Sequence, residues 1–262
     1  MAHDAHQLLR DGDLDGARSA LVEVVRSAPS DQAARMFLFQ LLAVAGEWDK
    51  AKKQLALLAQ LSPEAQMLSV AYGQAIDAEL ERASIFAGKA PMPVLVASPW
   101  LEKLAEAVGH FAAGRTPEGE AAREDAFERA PDTPGTLDGE SFDWIADADG
   151  RFGPSFEAIV NGRYGLIGFD AVEKIVSKGP QDLRDLIWYP VEIAMRSGQS
   201  VAAMLPARYP GSEASASVDE RLARATGWTD AAEGQRGSGQ HLWATSSGDD
   251  HALLSVRSLT FD

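Results

Sequence analysis

Asp11-Gly12-Asp13-Leu14-Asp15-Gly16-Ala17 and Ala45-Gly46-Glu47-Trp48-Asp49-Lys50-Ala51 carry a glycine and an alanine in the same phase, 34 residues apart. A proline follows each glycine at 17 residues, Pro29 and Pro63, and Gly114 with Pro131 repeats that spacing two periods on. Thirty-four residues is the period of a tetratricopeptide-type helix–turn–helix repeat. Gly12 and Gly46 end the first helix of each pair, where the chain needs a positive φ. Ala17 and Ala51 are small where two helices meet closely. Leu21 and Val24, then Leu55 and Leu58, follow as the apolar stripe of the second helix. Pro29 and Pro63 stop that helix, and Ser30-Asp31 can cap the next one.

The period does not run on unchanged. A middle unit would put glycine at residue 80, where Leu80 stands, and the pattern there predicts one long helix over residues 64–86. A loop with Gly88, Pro91 and Pro93 follows, and a helix restarts at Ser98-Pro99-Trp100. A divergent last repeat has Gly119 at the small position and Pro117 in the first turn of its second helix, where proline is tolerated.

Composition changes after Pro131. Residues 132–150 hold six acidic residues, no basic ones, Pro134 and three glycines, which reads as a linker or ordered loop. Beyond it the period shortens to that of strands. Residues 156–160 and 164–169 flank Asn161-Gly162, a strong two-residue hairpin signal. Residues 172–176 suit another strand, and residues 186–195 and 201–205 form a hairpin about Ser197-Gly198. Ser217 with Glu220 makes a capping box for a helix over 218–226. Two last strands fit residues 240–245 and 252–261. The expected class is α+β: a tetratricopeptide-like helical stack over 1–131, an acidic connecting loop over 132–155, and a β-rich part over 156–262 built as a bent sheet or barrel.

The 262 residues are 45% apolar and 24% charged, ordinary for a globular chain. Lys and Arg number 24 against 39 Asp and Glu, a net charge of −15. Residues 1–131 carry 13 basic and 19 acidic groups and residues 132–262 carry 11 and 20, so neither half is a basic module. Phosphate repels such a chain, which excludes nucleic acid and an anionic membrane surface as partners. The absence of cysteine excludes disulfides, thiolate metal sites and cysteine nucleophiles. The first residues lack the basic and apolar segments of a signal peptide. The longest apolar stretch, residues 36–45, is half the length of a membrane span of about 20 residues. The cytoplasm is the expected location.

Catalytic and metal signatures are missing. A calcium loop starting at Asp147 would need an oxygen ligand at 151, glycine at 152 and glutamate at 158, but Arg151, Phe152 and Ala158 stand there. Asp147, Asp149 and Arg151 read better as a local salt-bridge and turn network. The histidines His3, His6, His110, His241 and His251 show no metal-binding spacing, and no nucleophile elbow, P-loop or dinucleotide fingerprint occurs. No cofactor is implied and no metal site. Of Trp144, Trp188, Trp228 and Trp243, two are assigned to the core by default.

Thr133-Pro134-Gly135-Thr136-Leu137-Asp138-Gly139, Phe142-Asp143-Trp144-Ile145-Ala146-Asp147-Ala148-Asp149 and Arg151-Phe152-Gly153-Pro154 carry a more specific signal. Asn161-Gly162-Arg163-Tyr164, Asp182-Leu183-Arg184-Asp185-Leu186-Ile187-Trp188 and Ala207-Arg208-Tyr209-Pro210-Gly211-Ser212-Glu213 continue it in order. With these motifs the chain resembles the ImpE/TagJ (SciE-type) family of type VI secretion accessory proteins, over essentially its whole length. One departure is Gly165, where the family often has an aromatic after the tyrosine; its absence is expected to loosen that strand.

The resemblance implies a cytoplasmic adaptor without catalytic activity. Its partner would be the N-terminal helix of the small contractile-sheath subunit (TssB/VipA-like), with an indirect tie to the ClpV-type unfoldase that recycles the sheath. Such a helix would enter an apolar groove by anchors at i, i+3/i+4 and i+7, and an acidic rim would favour a basic ligand helix. Candidate contacts are Phe37, Phe39, Trp48, Tyr72, Trp100 and Phe111 in the helical part. Trp144, Asp147, Asp149 and Arg151 of the connecting loop, and Arg184, Trp188, Arg208 and Tyr209 beyond it, complete the set. Two other readings stand beside this one. One is a scaffold that joins apparatus components by flat surfaces, and the other is an enzyme in the cleft between the halves, built on Asp147, Asp149, Arg151 and Arg184.

Overall fold

The computed structural model describes residues 2–262, with side chains from Asp4 onward, so the side chain of His3 lies outside the described residues. The first half is seven helices: α1 (Ala2–Arg10), α2 (Leu14–Ser27), α3 (Gln32–Val44), α4 (Trp48–Ala59), α5 (Pro63–Phe86), α6 (Pro99–Ala112) and α7 (Thr116–Arg129). The repeat chemistry acts as the spacing predicts. Gly12, Gly46 and Gly114 all have positive φ, at 82°, 68° and 71°. Asp13, Asp31 and Ser62 each accept a backbone N–H from the first turn of the helix they precede, which satisfies donors that a helix start leaves unpaired. Ala17, Leu21, Ala51, Leu55 and Leu58 are buried between helices. Where the middle unit's turn is missing, α5 runs unbroken for 24 residues. In the divergent repeat the Phe111 ring lies over Gly119, where an added Cβ would come within 2.5 Å of it.

The second half contains thirteen strands in three sheets. They are β1 (Gly135–Leu137), β2 (Glu140–Phe142), β3 (Ile145–Asp147), β4 (Ser155–Val160), β5 (Arg163–Gly168), β6 (Val172–Val176), β7 (Trp188–Met195), β8 (Ser200–Pro206), β9 (Thr226–Ala231), β10 (Gly234–Gly239), β11 (Leu242–Thr245), β12 (Asp250–Ala252) and β13 (Ser258–Phe261). Eight of them form one antiparallel sheet in the order β2-β1-β13-β6-β7-β8-β4-β5. Its end strands do not pair, so the sheet is open and is not a closed barrel. Strands β12-β11-β3 form a second sheet and β9-β10 a hairpin of their own. Trp243 of β11 fills the space against the large sheet, its ring 6.0 Å from Phe156 and 5.3 Å from Phe169.

Several elements depart from the sequence expectation for identifiable reasons. Residues 132–155 supply three strands of three residues each, too short to show an alternating pattern; β1 and β3 pair with distant β13 and β11, and β2 with β1. The helix expected over 218–226 is only Val218–Arg221, because Ala223 takes a φ of 52° and ends it. The residues after it form β9 and β10, whose sequence is polar and glycine-rich and half of whose residues are exposed. The single strand expected over 252–261 is split by a 3₁₀ turn at Leu253–Ser255 into strands of two different sheets.

The expectation that Gly165 loosens its strand is replaced by a closer fit. The chain between α5 and α6 lies along β5, with Leu95 N–H donating to Leu166 O and Leu166 N–H to Pro93 O, both at 2.9 Å. A Cβ on Gly165 would stand 2.7 Å from the carbonyl oxygen of Pro93. Glycine therefore lets this segment cover an otherwise open sheet edge.

The two halves share a core. Ten of the thirteen residues of α3 are buried, its neighbouring helices covering one side and the β half the other. Trp188, at the start of β7, is fully buried in the helical stack. Its ring centroid lies 6.0 Å from that of Trp48 and 5.6 Å from that of Tyr72, and Tyr72 meets Phe39 at 5.9 Å. A large side chain so enclosed contributes several kcal/mol. Trp188→Ala is expected to lower unfolding stability by about 3–5 kcal/mol, with helical and sheet circular-dichroism signals still lost together in urea. A loss below about 1 kcal/mol would show that Trp188 does not fasten the halves.

Candidate functional site

Where the helical stack meets the β half, four basic side chains and four carboxyl groups are buried together: Arg82, Arg151, Arg208, His241, Glu79, Asp147, Asp149 and Glu157. Arg82 projects from α5 and Glu157 from β4. The Arg82 guanidinium forks onto the Glu157 carboxylate, Nε to Oε1 at 2.7 Å and Nη2 to Oε2 at 2.6 Å. The same Nη2 donates to the backbone carbonyl of Arg208 at 2.7 Å. Tyr164, paired with Ile159 across the β4–β5 hairpin, donates its hydroxyl to Glu157. Glu79, one helical turn before Arg82, accepts from the Trp188 indole at 3.2 Å. Arg208 Nη1 donates to the carbonyl of Val44 at 3.0 Å and to that of Arg221 at 2.6 Å. It thus serves the carbonyl end of α3, where a cation is favourable.

The loop motif joins this cluster. Asp149 N–H donates to Asp147 Oδ1, and Arg151 N–H and Nε donate to Asp149 Oδ1, which is the turn network expected for those three residues. Asp147 Oδ1 also accepts from the Tyr209 hydroxyl at 2.9 Å, and its Oδ2 lies 2.7 Å from His241 Nδ1. The other imidazole nitrogen stands 3.0 Å from Glu157 Oε2, close enough for an ion pair but off the line of a directed hydrogen bond. Asp149 Oδ2 accepts from Gly237 N–H of β10. Strands of all three sheets and the helices α3 and α5 are therefore tied through a few atoms.

Burial would lower the pKa of His241, but the carboxylates of Asp147 and Glu157 outweigh it and raise the imidazole to about 9. Burial would raise Glu157, yet Arg82 and His241 hold it well below the usual carboxylate range. Burial keeps Asp147 above its ordinary value despite His241, and raises Glu79 despite Arg82. Burial brings Arg208 down to about 10, which leaves it cationic at neutral pH. Tyr209 is pushed up by burial and by Asp147.

The expected contact residues are distributed unevenly. Phe37, Phe39, Trp100, Phe111, Asp147, Asp149, Arg151, Trp188, Arg208 and Tyr209 are buried, Trp48, Tyr72 and Arg184 are half-buried, and Trp144 is exposed. Arg184 stands apart from the aspartates of the loop; its guanidinium lies 4.7 Å from the Tyr72 ring centroid and pairs with Asp182 at 2.7 Å. The four residues that would build an enzyme cleft thus do not converge. The adjoining cleft, about 360 Å³, touches the network at Arg151 and Gly237, while the Asp147–His241 pair faces inward. Among the described residues no group of three or more His, Asp or Glu is arranged to hold a metal. None of the helices described is long and apolar enough to cross a membrane. Arg82, Glu79, Glu157 and His241 escaped the sequence reading. The one signal was Glu157, a charge set in the otherwise apolar strand Phe156–Val160.

A tetratricopeptide stack whose inner side is closed by an antiparallel β half through a buried ion network defines the class of this protein. The comparisons agree with that description. The family model for ImpE protein matches residues 139–260 and one for a tetratricopeptide repeat matches residues 8–71. The chain is 41% identical over 260 residues to the type VI secretion system accessory component TagJ of Pseudomonas aeruginosa PAO1, across 98% of this chain and 91% of that protein. The crystal structure of protein VPA1032 from Vibrio parahaemolyticus matches 99% of this chain and 97% of its own with a TM-score of 0.88. At 20% identity that likeness shows a common fold. The chain belongs to the ImpE/TagJ family of type VI secretion accessory proteins.

The raised imidazole gives stability a defined pH dependence. A histidine whose folded pKa lies above its unfolded value of about 6.5 stabilises fully below that pH and loses the effect as pH climbs through the folded value. Unfolding free energy is expected to fall between pH 6.5 and about 9, by up to about 3 kcal/mol. His241→Gln should flatten that slope. A wild-type profile already flat over this window would mean that His241 is buried without its proton.

Proposed function

We propose that this chain is a non-catalytic, cytoplasmic accessory of the type VI secretion system that captures the N-terminal helix of the small contractile-sheath subunit. Through that helix it links to sheath assembly and to recycling by the ClpV-type unfoldase. Membership in a family that includes a type VI secretion accessory component is the observation that carries the reading. The helical part, residues 1–131, bears most of the capture surface, and the turn at Asp182 and Leu183 of the β half completes it.

The helical fold and its charge support a particular place for capture. The inner face of the stack at Phe39, Trp48 and Tyr72 is filled by Trp188 of the same chain. Further along, between α1, α3 and the turn at Leu183, a groove of about 510 Å³ stays open. Leu9, Met36, Phe37 and Leu183 give it an apolar floor, and Asp31 and Asp182 stand on its rim. Phe37 is the candidate contact that lines this groove, with Arg184 beside it through Met36. An apolar floor with acidic edges suits a helix that presents aliphatic anchors and basic flanks.

Calorimetric titration with a peptide of the sheath subunit's N-terminal helix tests this directly. Saturable binding at roughly micromolar Kd, with negative heat-capacity change and weakening in salt, is expected. Leu9→Asp and Met36→Glu should each weaken it about tenfold or more. Absence of binding, or affinity untouched by both substitutions, would contradict the assignment and favour a scaffold that joins components by flat surfaces.

A further inference from the structure

A second recessed surface lies on the β half, far in character from the acidic helical groove. The large sheet is open, and at one end its apolar interior reaches solvent between the β4–β5 turn, the β7–β8 turn and the segment that follows α5. The recess measures about 450 Å³ and is floored by Leu95, Val96, Val160, Ile167, Met195 and Val201. That is the size and lining of a pocket able to enclose a ligand of a few residues. Leu95, Val96, Val160 and Val201 are half-buried members of the β core's margin, so the floor is continuous with a packed interior and does not collapse when empty.

Its charge is opposite to that of the chain. The protein carries −15 overall, yet no carboxylate lines this recess, and its two charged lining residues are Arg163 and Arg196. Arg163 follows the Asn161-Gly162 turn, is exposed, and makes no ion pair or hydrogen bond to a carboxylate among the described residues. Arg196 donates to the main-chain oxygen of Asp262 at 2.8 Å, so Arg163 is the cation of this mouth that stands without a partner among the described residues. Asp170, which precedes Ala171 of the lining, accepts from the Trp100 indole. Asn161, Ser197 and Gln199 add hydrogen-bonding groups at the mouth.

We propose that this recess docks an acidic peptide segment of a partner protein, with one or two aliphatic side chains seated on the floor and flanking carboxylates on Arg163 and Arg196. In an acidic protein a basic-edged apolar site selects its ligand by sign, since the same segment is repelled elsewhere on the surface. The helical groove and this recess then accept ligands of opposite charge, so one molecule can hold two different partners at once. The site is independent of the helix-capture reading: neither groove shares a residue with the other.

Fluorescence anisotropy of the full chain with a labelled hexapeptide alternating glutamate and leucine tests it. Saturable binding at roughly 10–100 µM is expected, weakening several-fold from 50 to 300 mM salt. Arg163→Glu should weaken it about tenfold or more, and Leu9→Asp in the helical groove should leave it unchanged. A matched peptide with lysine in place of glutamate should not bind. Equal binding of the lysine peptide, insensitivity to both salt and Arg163→Glu, or no binding of the glutamate peptide would each overturn the proposal. Loss of sheath-helix binding with this interaction intact would overturn the other reading alone.

Discussion

The structure depends on one buried pairing, Arg82 of a helix with Glu157 of a strand. Each group is costly to bury alone, and the fork of two hydrogen bonds with a third to the Arg208 carbonyl is what makes burial tolerable. A pair of this kind adds little net stability over an apolar equivalent, but it penalises any arrangement that separates its members. Here the members sit 75 residues apart, in parts of the chain with different periodicity. The pairing therefore fixes how a repeat stack and a sheet sit against each other. His241, Tyr164 and Asp147 extend the constraint to the small sheet and to the loop that begins the β half.

This arrangement changes what a helical-repeat groove can mean. Solenoids of this type commonly offer their concave side to a ligand. In this chain Trp188 and Arg208 act toward the helices as a built-in ligand: an aromatic anchor among Trp48 and Tyr72, and a cation on the carbonyl end of α3. The end of the stack near α1 and the mouth of the sheet are among the places that stay open.

Much of the helical half was legible because its signals are local. The turn at Gly12 and again at Gly46, the small residue five positions on, and the stopping proline each act through neighbours in sequence. Asn161-Gly162 announces its hairpin for the same reason, with both residues at positive φ. The strands at 135–147 were hidden because three residues cannot display a period and because β1 and β3 find partners more than 90 residues away. The polar hairpin of β9 and β10 was hidden because its polar, glycine-rich sequence leaves no apolar alternation. In the site, Asp147, Asp149 and Arg151 were recognised as a turn network from their spacing alone. Their connection to Arg82, Glu157 and His241 was invisible, since a lone arginine on a helix and a lone histidine before a strand look like surface residues until the fold brings them inward. Of the aromatics expected to line a groove, Phe39 meets Tyr72 and Trp188 packs against both Tyr72 and Trp48, a contact that sequence could not show, whereas Phe37, Trp100 and Phe111 pack elsewhere.

Whether the helical and β halves form one cooperative unit decides the account. Native-state hydrogen exchange followed by mass spectrometry reads this at the amides of α5 and β4, on the two sides of the Arg82–Glu157 pair. The account predicts that both exchange through the same global opening, with equal free energy and equal dependence on denaturant. Protection of α5 that persists while β4 opens at lower free energy would contradict it, because the repeat stack would then stand without the sheet.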